Sequence, residues 1–143
     1  MHKNPYLKKI LVLCTGNSCR SQIAEAYLRK FAQNTAEVFS AGIEAHGLNP
    51  FAIATMEEDG IDISHQTSNT IDEYQGMQFD LVITVCDNAN EACPVFHSRA
   101  KRFHQNFPDP AKATGTPEEV KDRFREVRNM IKFYSEKFIQ AHL

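Results

Sequence analysis

The stretch that decides the fold is residues 8–25, with the sequence KKILVLCTGNSCRSQIAE. The apolar residues 10–13 predict a short buried strand that ends at Cys14. Small and polar residues follow, and a helix is expected to begin at about Arg20. A strand, a tight loop and a helix in this order direct backbone N–H groups and the helix dipole at one point, which favours a bound anion.

The composition of the loop supports this interpretation. Gly16 and Asn17 tolerate the left-handed backbone that such a curl needs, and the planar guanidinium of Arg20 can bind two oxygens of a tetrahedral oxyanion. The same positive field is expected to lower the pKa of Cys14 and make its thiolate nucleophilic. Ser21 is expected to donate to that thiolate or to cap the helix. The predicted oxyanion-binding residues are Thr15, Gly16, Asn17, Ser18, Cys19 and Arg20.

Length and composition limit the class of protein. With 143 residues the chain is expected to form one domain over residues 1–143. The net charge of −2 gives no general case for binding nucleic acid or membranes. We see no signal peptide and no long apolar run, so a cytoplasmic, monomeric protein is expected. Its four cysteines are then free or catalytic thiols, and no zinc spacing or organic cofactor is indicated.

The remaining pattern alternates strands with helices. Strands are predicted at 36–41, 79–85 and 100–103, and helices at 50–59 and from Pro117 to near the C-terminus. This order predicts an α/β fold with a four-stranded, mainly parallel sheet and helices on both faces. Because functional residues collect at the carboxyl ends of parallel strands, Cys86 is expected at the same edge of the molecule as Cys14.

Cys86 and Cys93 flank a segment of small and polar residues that should open easily. In a helix the two cysteines are roughly 10 Å apart, which is too far for a disulfide, so bridging them requires the helix to unwind. Two unrelated cysteines are the alternative, but beside a reactive Cys14 a redox pair is favoured. Asp109 lies between two prolines that hold it extended, where it could act as a general acid, although the sequence alone favours a plain turn residue.

The segment Cys14-Thr-Gly-Asn-Ser-Cys-Arg-Ser-Gln resembles the active-site loop of the low-molecular-weight tyrosine phosphatase superfamily, and above all that of its thioredoxin-coupled arsenate reductases. The resemblance implies that Cys14 attacks arsenate and that Asp109 protonates the leaving oxygen. It also implies that Cys86 and then Cys93 carry the disulfide to a thioredoxin-like reductant. Cys19 has no role in this scheme.

The resemblance further suggests a potassium ion beside the loop. The matching positions are Asn17, Glu25, Ser40, Thr67 and Asn69. Some relatives have aspartate in place of Asn69, which makes the dependence on potassium uncertain.

Two other functions remain open at this stage. A protein tyrosine phosphatase would use the same loop and acid, but it needs neither Cys86 nor Cys93, and residues 111–112 supply no aromatic slot for a phenyl ring. A non-catalytic module that senses redox state or oxyanions would use the same thiols without turnover.

Overall fold

The computed structural model describes residues 7–92 and 100–143, and of residues 90–92 only the backbone. It contains a four-stranded sheet in the order β2-β1-β3-β4, and every strand pair is parallel. The strands are β1 (Lys8–Cys14), β2 (Ala36–Gly42), β3 (Leu81–Thr84) and β4 (Lys101–His104). The helices are α1 (Arg20–Ala32), α2 (Pro50–Glu58), α3 (Asp87–Ala92) and α4 (Pro117–His142), with 3₁₀ turns at Ile71–Tyr74 and Pro110–Lys112.

The central strand β1 is covered on both sides. Ile10, Leu11, Val12 and Leu13 are all fully buried, and successive side chains of a strand point to opposite faces of the sheet. Both faces of the sheet are therefore packed, as is usual for parallel sheets. The predicted α/β class is confirmed, although β3 is shorter than the predicted 79–85.

The long helix α4 begins where the sequence predicts. Thr116 Oγ1 accepts from the backbone N–H of Glu119 at 3.2 Å, and the Glu119 carboxylate accepts from the Thr116 N–H at 3.3 Å. This reciprocal capping fixes the first turn. Phe124, Val127 and Ile131 then bury one face of the helix, which packs on α1. Within the described residues, no helix is both long enough and apolar enough to cross a membrane.

The strand order brings the two cysteines together. β1 lies between β2 and β3, so the chain leaves β1 in one direction and later returns on its other side. Such a reversal opens a crevice at the carboxyl ends of the two central strands. Cys14 ends β1 and Cys86 follows β3, and both side chains are buried at this edge.

Candidate active site

The carbonyl groups of the loop after β1 are all held outward. Backbone N–H groups of the connection between β2 and α2 bond to four of them: Ile43 to Cys14 O at 3.3 Å, Glu44 to Thr15 O at 3.0 Å, His46 to Gly16 O at 2.9 Å and Asn49 to Ser18 O at 3.1 Å. The fifth, Asn17 O, accepts from Gln22 Nε2 and Ser68 Oγ. In a trans peptide the N–H points away from the C=O. The N–H groups of the loop are therefore directed inward, as an anion site requires.

Asn17 is the left-handed residue of the loop, with φ of 50°. Its side chain stabilises that conformation, because Nδ2 donates to Ser21 Oγ at 2.8 Å and Ser40 Oγ at 2.9 Å while Oδ1 accepts from the Asn69 N–H at 2.7 Å. Gly16 tolerates that conformation but does not adopt it. A Cβ at Gly16 would overlap the imidazole ring of His46 as this structure places it.

Gly42, at the end of β2, is equally constrained. A Cβ at this position would meet the backbone of Thr15 and Asn17 at 2.8 Å and would overlap the Glu44 carbonyl. Backbone atoms cannot move aside as a flexible side chain can. The close approach of β2 to the loop therefore depends on this glycine.

The loop encloses a small cavity of about 160 Å³. Its lining residues are Cys14, Thr15, Gly16, Ser18, Cys19, Arg20, His46, Asp109 and Ala111. Arg20 is 9% exposed and donates through Nη1 to the carbonyl of Phe107 at 3.0 Å. Its Nε has no hydrogen-bond partner among the described residues. A buried donor without a partner is costly, and an oxyanion beside the loop would satisfy it.

Asp109 stands at the mouth of this cavity. Its Oδ2 lies 3.6 Å from Arg20 Nη2, and its Oδ1 accepts from the Ala111 N–H at 3.0 Å. The backbone at Asp109 is extended, as the flanking prolines predict. Asp109 also lines a second, larger cavity with Thr15 and Cys86. Its carboxyl group can therefore reach a leaving group that projects from the first cavity.

Cys14 and Cys86 form a hydrogen-bonded pair of thiols that share a proton. This hydrogen bond, with burial, raises the pKa of Cys14 far above its usual value, and the Arg20 guanidinium offsets only part of the effect. The prediction of a lowered pKa for Cys14 is therefore wrong for this structure. Two adjacent sulfurs do not both ionise easily, and here the charge belongs to Cys86.

The hydrogen bond from Cys14 lowers the pKa of Cys86 to about 5, and further donors contribute. Thr15 Oγ1 lies 3.2 Å from Cys86 Sγ, and the Ala89 N–H lies 3.4 Å from the same sulfur. Asn88 Nδ2 donates to Thr15 Oγ1 at 3.4 Å, which leaves the Thr15 hydroxyl proton for the sulfur. A second thiolate is thus prepared next to the anion cavity.

The other predicted residues are placed as follows. Cys19 is buried, which raises the pKa of its thiol to about 11 and keeps it protonated. Ser21 does not cap α1: the cap residue is Cys19, without a side-chain hydrogen bond, and Ser21 Oγ accepts from Asn17 instead. Cys93 lies outside the described residues.

The residues suggested for potassium are held by one another. Ser40 Oγ donates to Glu25 at 2.6 Å, and Asn17 turns its amide nitrogen toward Ser40. Thr67 Oγ1 donates to Asn69 Oδ1 at 2.7 Å. A potassium ion needs several oxygens that converge. In this arrangement oxygens of Glu25, Ser40 and Asn69 accept hydrogen bonds from neighbouring residues, and potassium binding stays a prediction.

The charge of Glu25 is also matched already, because Arg29 Nη2 lies 2.9 Å from its carboxylate. Burial nonetheless raises the pKa of Glu25. Elsewhere in the part of the chain that the structure describes, no cluster of His, Cys, Asp and Glu side chains could hold a metal ion.

Sequence reasoning missed the residues that support the loop from outside. His46, which no sequence motif marks, lines the anion cavity. Phe107 contributes its carbonyl to Arg20, and Ser68 bonds to the loop at Asn17 O. The hydrogen bonds that residues 43–49 donate to the loop carbonyl groups correspond to no periodic pattern in the sequence, so the sequence could not predict them.

A nucleophilic thiol, an inward-facing loop and an arginine on a parallel α/β sheet are the features of a cysteine-dependent, phosphatase-like protein. The comparison with protein families agrees. The model of the low molecular weight phosphotyrosine protein phosphatase family matches residues 9–143, and the chain belongs to that family.

Relatives of this chain within the family are named arsenate reductases. The chain is 53% identical over 124 residues to a protein named arsenate reductase from Halalkalibacterium halodurans, covering 87% of this chain and 89% of that protein. It is 51% identical, over the same shares, to the arsenate reductase of Bacillus subtilis. Among solved structures, an arsenate reductase in the phosphate-binding state has a TM-score of 0.81 at 33% identity, covering 94% of this chain and 98% of that one.

Proposed function

We propose that this protein reduces arsenate to arsenite, with Cys14 as nucleophile and the thiols of Cys86 and Cys93 supplying the two electrons. One observation carries the proposal: a second cysteine, Cys86, is hydrogen-bonded to the nucleophile beside an anion cavity. Hydrolysis of a phosphate ester needs no such partner, whereas reduction through a disulfide does. The relatives named arsenate reductase support the same assignment.

The first step forms a bond between sulfur and arsenic. The oxyanion binds to the inward N–H groups of the loop and to Arg20 Nε. The shared proton moves from Cys14 to Cys86, which makes Cys14 the thiolate that attacks arsenic. Asp109 gives its proton to the departing hydroxyl group, which leaves as water. Arsenic is still pentavalent in this adduct.

The second step transfers the electrons. Cys86 then gives its proton to solvent water, and its thiolate, which still has Thr15 Oγ1 and the Ala89 N–H as neighbours, attacks Cys14 Sγ. A Cys14–Cys86 disulfide forms, the sulfur–arsenic bond breaks, and its electron pair stays on arsenic, which leaves as arsenite. Two thiols have been oxidised and arsenic has been reduced by two electrons.

The third step regenerates the nucleophile. The thiolate of Cys93 attacks Cys86, a Cys86–Cys93 disulfide forms, and Cys14 is released. We propose that a thioredoxin-like dithiol then reduces this disulfide. All the reacting residues belong to one chain, so the cycle can run in a monomer.

A phosphatase side activity has its own support in the site. Phosphate has the same tetrahedral shape as arsenate, and Asp109 is placed to protonate an ester oxygen. Among the described residues, however, the second cavity has one aromatic ring, that of Phe107, beside Asp87 and Lys112, so it offers no pair of rings to enclose a phenyl group. Aryl phosphates should therefore be slow substrates.

The test is arsenate-dependent oxidation of NADPH in the presence of thioredoxin and thioredoxin reductase. We expect turnover by the native chain and none by Cys86→Ser, while both proteins hydrolyse p-nitrophenyl phosphate at similar slow rates. If neither protein turns over arsenate and both hydrolyse the aryl phosphate efficiently, the protein is a phosphatase. A chain that turns over neither substrate but changes its thiols on oxidation is a redox module.

A further inference from the structure

The rim of the anion cavity carries an imidazole ring that the mechanism above does not use. His46 lines the cavity, and its backbone N–H bonds to Gly16 O at 2.9 Å. The ring lies directly on Gly16, and Nδ1 is the ring atom nearest to the place where a Cβ would stand there. The Nδ1 edge of His46 therefore faces the loop.

The opposite edge of the ring has a hydrogen-bond partner, although both side chains are more than half exposed. His46 Nε2 lies 2.5 Å from a carboxylate oxygen of Glu44, and an ionised carboxylate only accepts hydrogen bonds. Nε2 therefore carries a proton. Glu44 is itself attached to the loop, since its backbone N–H bonds to Thr15 O at 3.0 Å. The Glu44 side chain orients the ring and leaves Nδ1 as the nitrogen that can meet a ligand.

The charge of the cavity shows why such a ligand contact is useful. Arg20 is the only permanent cation among the described residues that line it, and Asp109 lies 3.6 Å from that guanidinium. A multiply charged oxyanion therefore meets a single permanent positive charge among these side chains. A further hydrogen bond on the side of Gly16 would add to those from the backbone.

We infer that His46, oriented by Glu44, is an oxyanion-binding residue whose Nδ1 forms a hydrogen bond with an oxygen of the bound inorganic arsenate or phosphate. A ring protonated at Nδ1 donates to an oxyanion oxygen, and a neutral ring accepts from an oxyanion hydroxyl group. This inference rests on the proposed function, because it assigns a further residue to the same anion site.

The test measures the binding of inorganic phosphate to the reduced protein by titration calorimetry, which needs no turnover. His46→Phe keeps a flat ring but removes both nitrogens, and His46→Asn places an amide close to the position of Nδ1. Loss of one hydrogen bond to an anion should weaken binding about tenfold in His46→Phe, whereas His46→Asn should stay within about threefold of the native chain. His65→Phe, on an exposed loop outside the cavity, is the matched control and should bind as the native chain does.

The KM for arsenate should likewise rise about tenfold in His46→Phe, while kcat should change less than about twofold. Equal phosphate affinity in the native chain and His46→Phe overturns the inference. Equal losses in the Phe and Asn variants also overturn it, because His46 would then only shape the loop. These two outcomes leave the proposed function intact. If instead the native chain binds no phosphate, the proposed function fails together with the inference, so the two failures are distinguishable.

Discussion

The Oγ1 atom of Thr15 lies 3.2 Å from the Sγ atom of Cys86, so the anion loop itself contacts the second cysteine. In the proposed relay, the residue that follows the nucleophile thus stabilises the thiolate that later attacks it. The relay would then join the anion loop to disulfide formation through one hydroxyl group.

Thr15→Val should separate the two chemical steps. Valine keeps the shape of threonine but cannot donate a hydrogen bond, so the pKa of Cys86 should rise and its attack on Cys14 should slow by roughly tenfold. Hydrolysis of p-nitrophenyl phosphate involves no attack by Cys86 on Cys14 and should change less than about twofold. Rapid-quench measurement of arsenite release, compared with the steady-state phosphatase rate, checks both values. An equal loss in both reactions would show that Thr15 acts only through loop geometry.

The shared proton predicts a titration in the acidic range. Thiolate absorbance at 240 nm should appear with a midpoint near pH 5, the folded pKa of Cys86. In Cys86→Ala this transition should vanish, and the pKa of Cys14 should fall because its largest raising cause, the Cys86 hydrogen bond, is gone. A native protein without any thiolate below pH 8 would contradict the pairing.

The same pair sets a pH dependence of stability. The pKa of Cys86 is about 5 when folded and 9.0 ordinarily, so between these values the unfolded chain binds more protons at this thiol. The contribution of Cys86 to the free energy of unfolding should therefore increase as the pH rises from 5 to 9. It should disappear as the pH falls to 5 and below. Above pH 9 the raised pKa of Cys14 acts in the opposite direction. Urea titrations of the native chain and Cys86→Ala across this range measure the difference.

Asp109→Asn should lower the rates of arsenate reduction and of p-nitrophenyl phosphate hydrolysis by about 10²–10³, since general acid catalysis typically contributes a factor of this size. The asparagine oxygen can still accept from the Ala111 N–H, so the thermal midpoint should change little. A dependence on the leaving group provides the control: phenyl phosphate, which needs the acid, should lose more rate than p-nitrophenyl phosphate. Equal losses for both esters would place Asp109 outside the proton transfer.

Replacing potassium by choline should change kcat/KM for arsenate by less than about twofold. The oxygens suggested for a cation accept hydrogen bonds from neighbouring residues, and Arg29 already supplies a positive charge to Glu25. The coupled assay at constant ionic strength checks this. A saturable activation by potassium, absent in Glu25→Gln, would show that the site rearranges to bind the ion.

The sequence was sufficient for the positions of Cys14 and Cys86 but not for their protonation. Strand ends can be read from apolar runs, and parallel strands bring those ends to one edge. The pKa of Cys14 depends on a contact across 72 residues of chain, from position 14 to position 86, that no local pattern encodes. The position of His46 could not be predicted for the same reason. It reaches the cavity because residues 43–49 donate backbone hydrogen bonds to the carbonyl groups of the loop.

Other differences have local causes. Ser21 was expected near the thiolate or at the helix cap, but the left-handed turn at Asn17 directs the Asn17 amide at Ser21 Oγ. Gly16 and Asn17 both tolerate a left-handed backbone, and of the two Asn17 adopts it, while Gly16 lies against the ring of His46. Glycine in a loop does not reveal from sequence whether it serves backbone conformation or close approach.

The relay from Cys14 to Cys86 and Cys93 is tested most directly in a single turnover. Reduced protein is mixed with excess arsenate in the absence of any reductant, and arsenite and disulfides are then determined by mass spectrometry of peptides. The relay predicts one arsenite per chain, a Cys86–Cys93 disulfide in the native chain and a Cys14–Cys86 disulfide in Cys93→Ser. Arsenite formed without either disulfide, or not formed at all while all three thiols stay reduced, would contradict it.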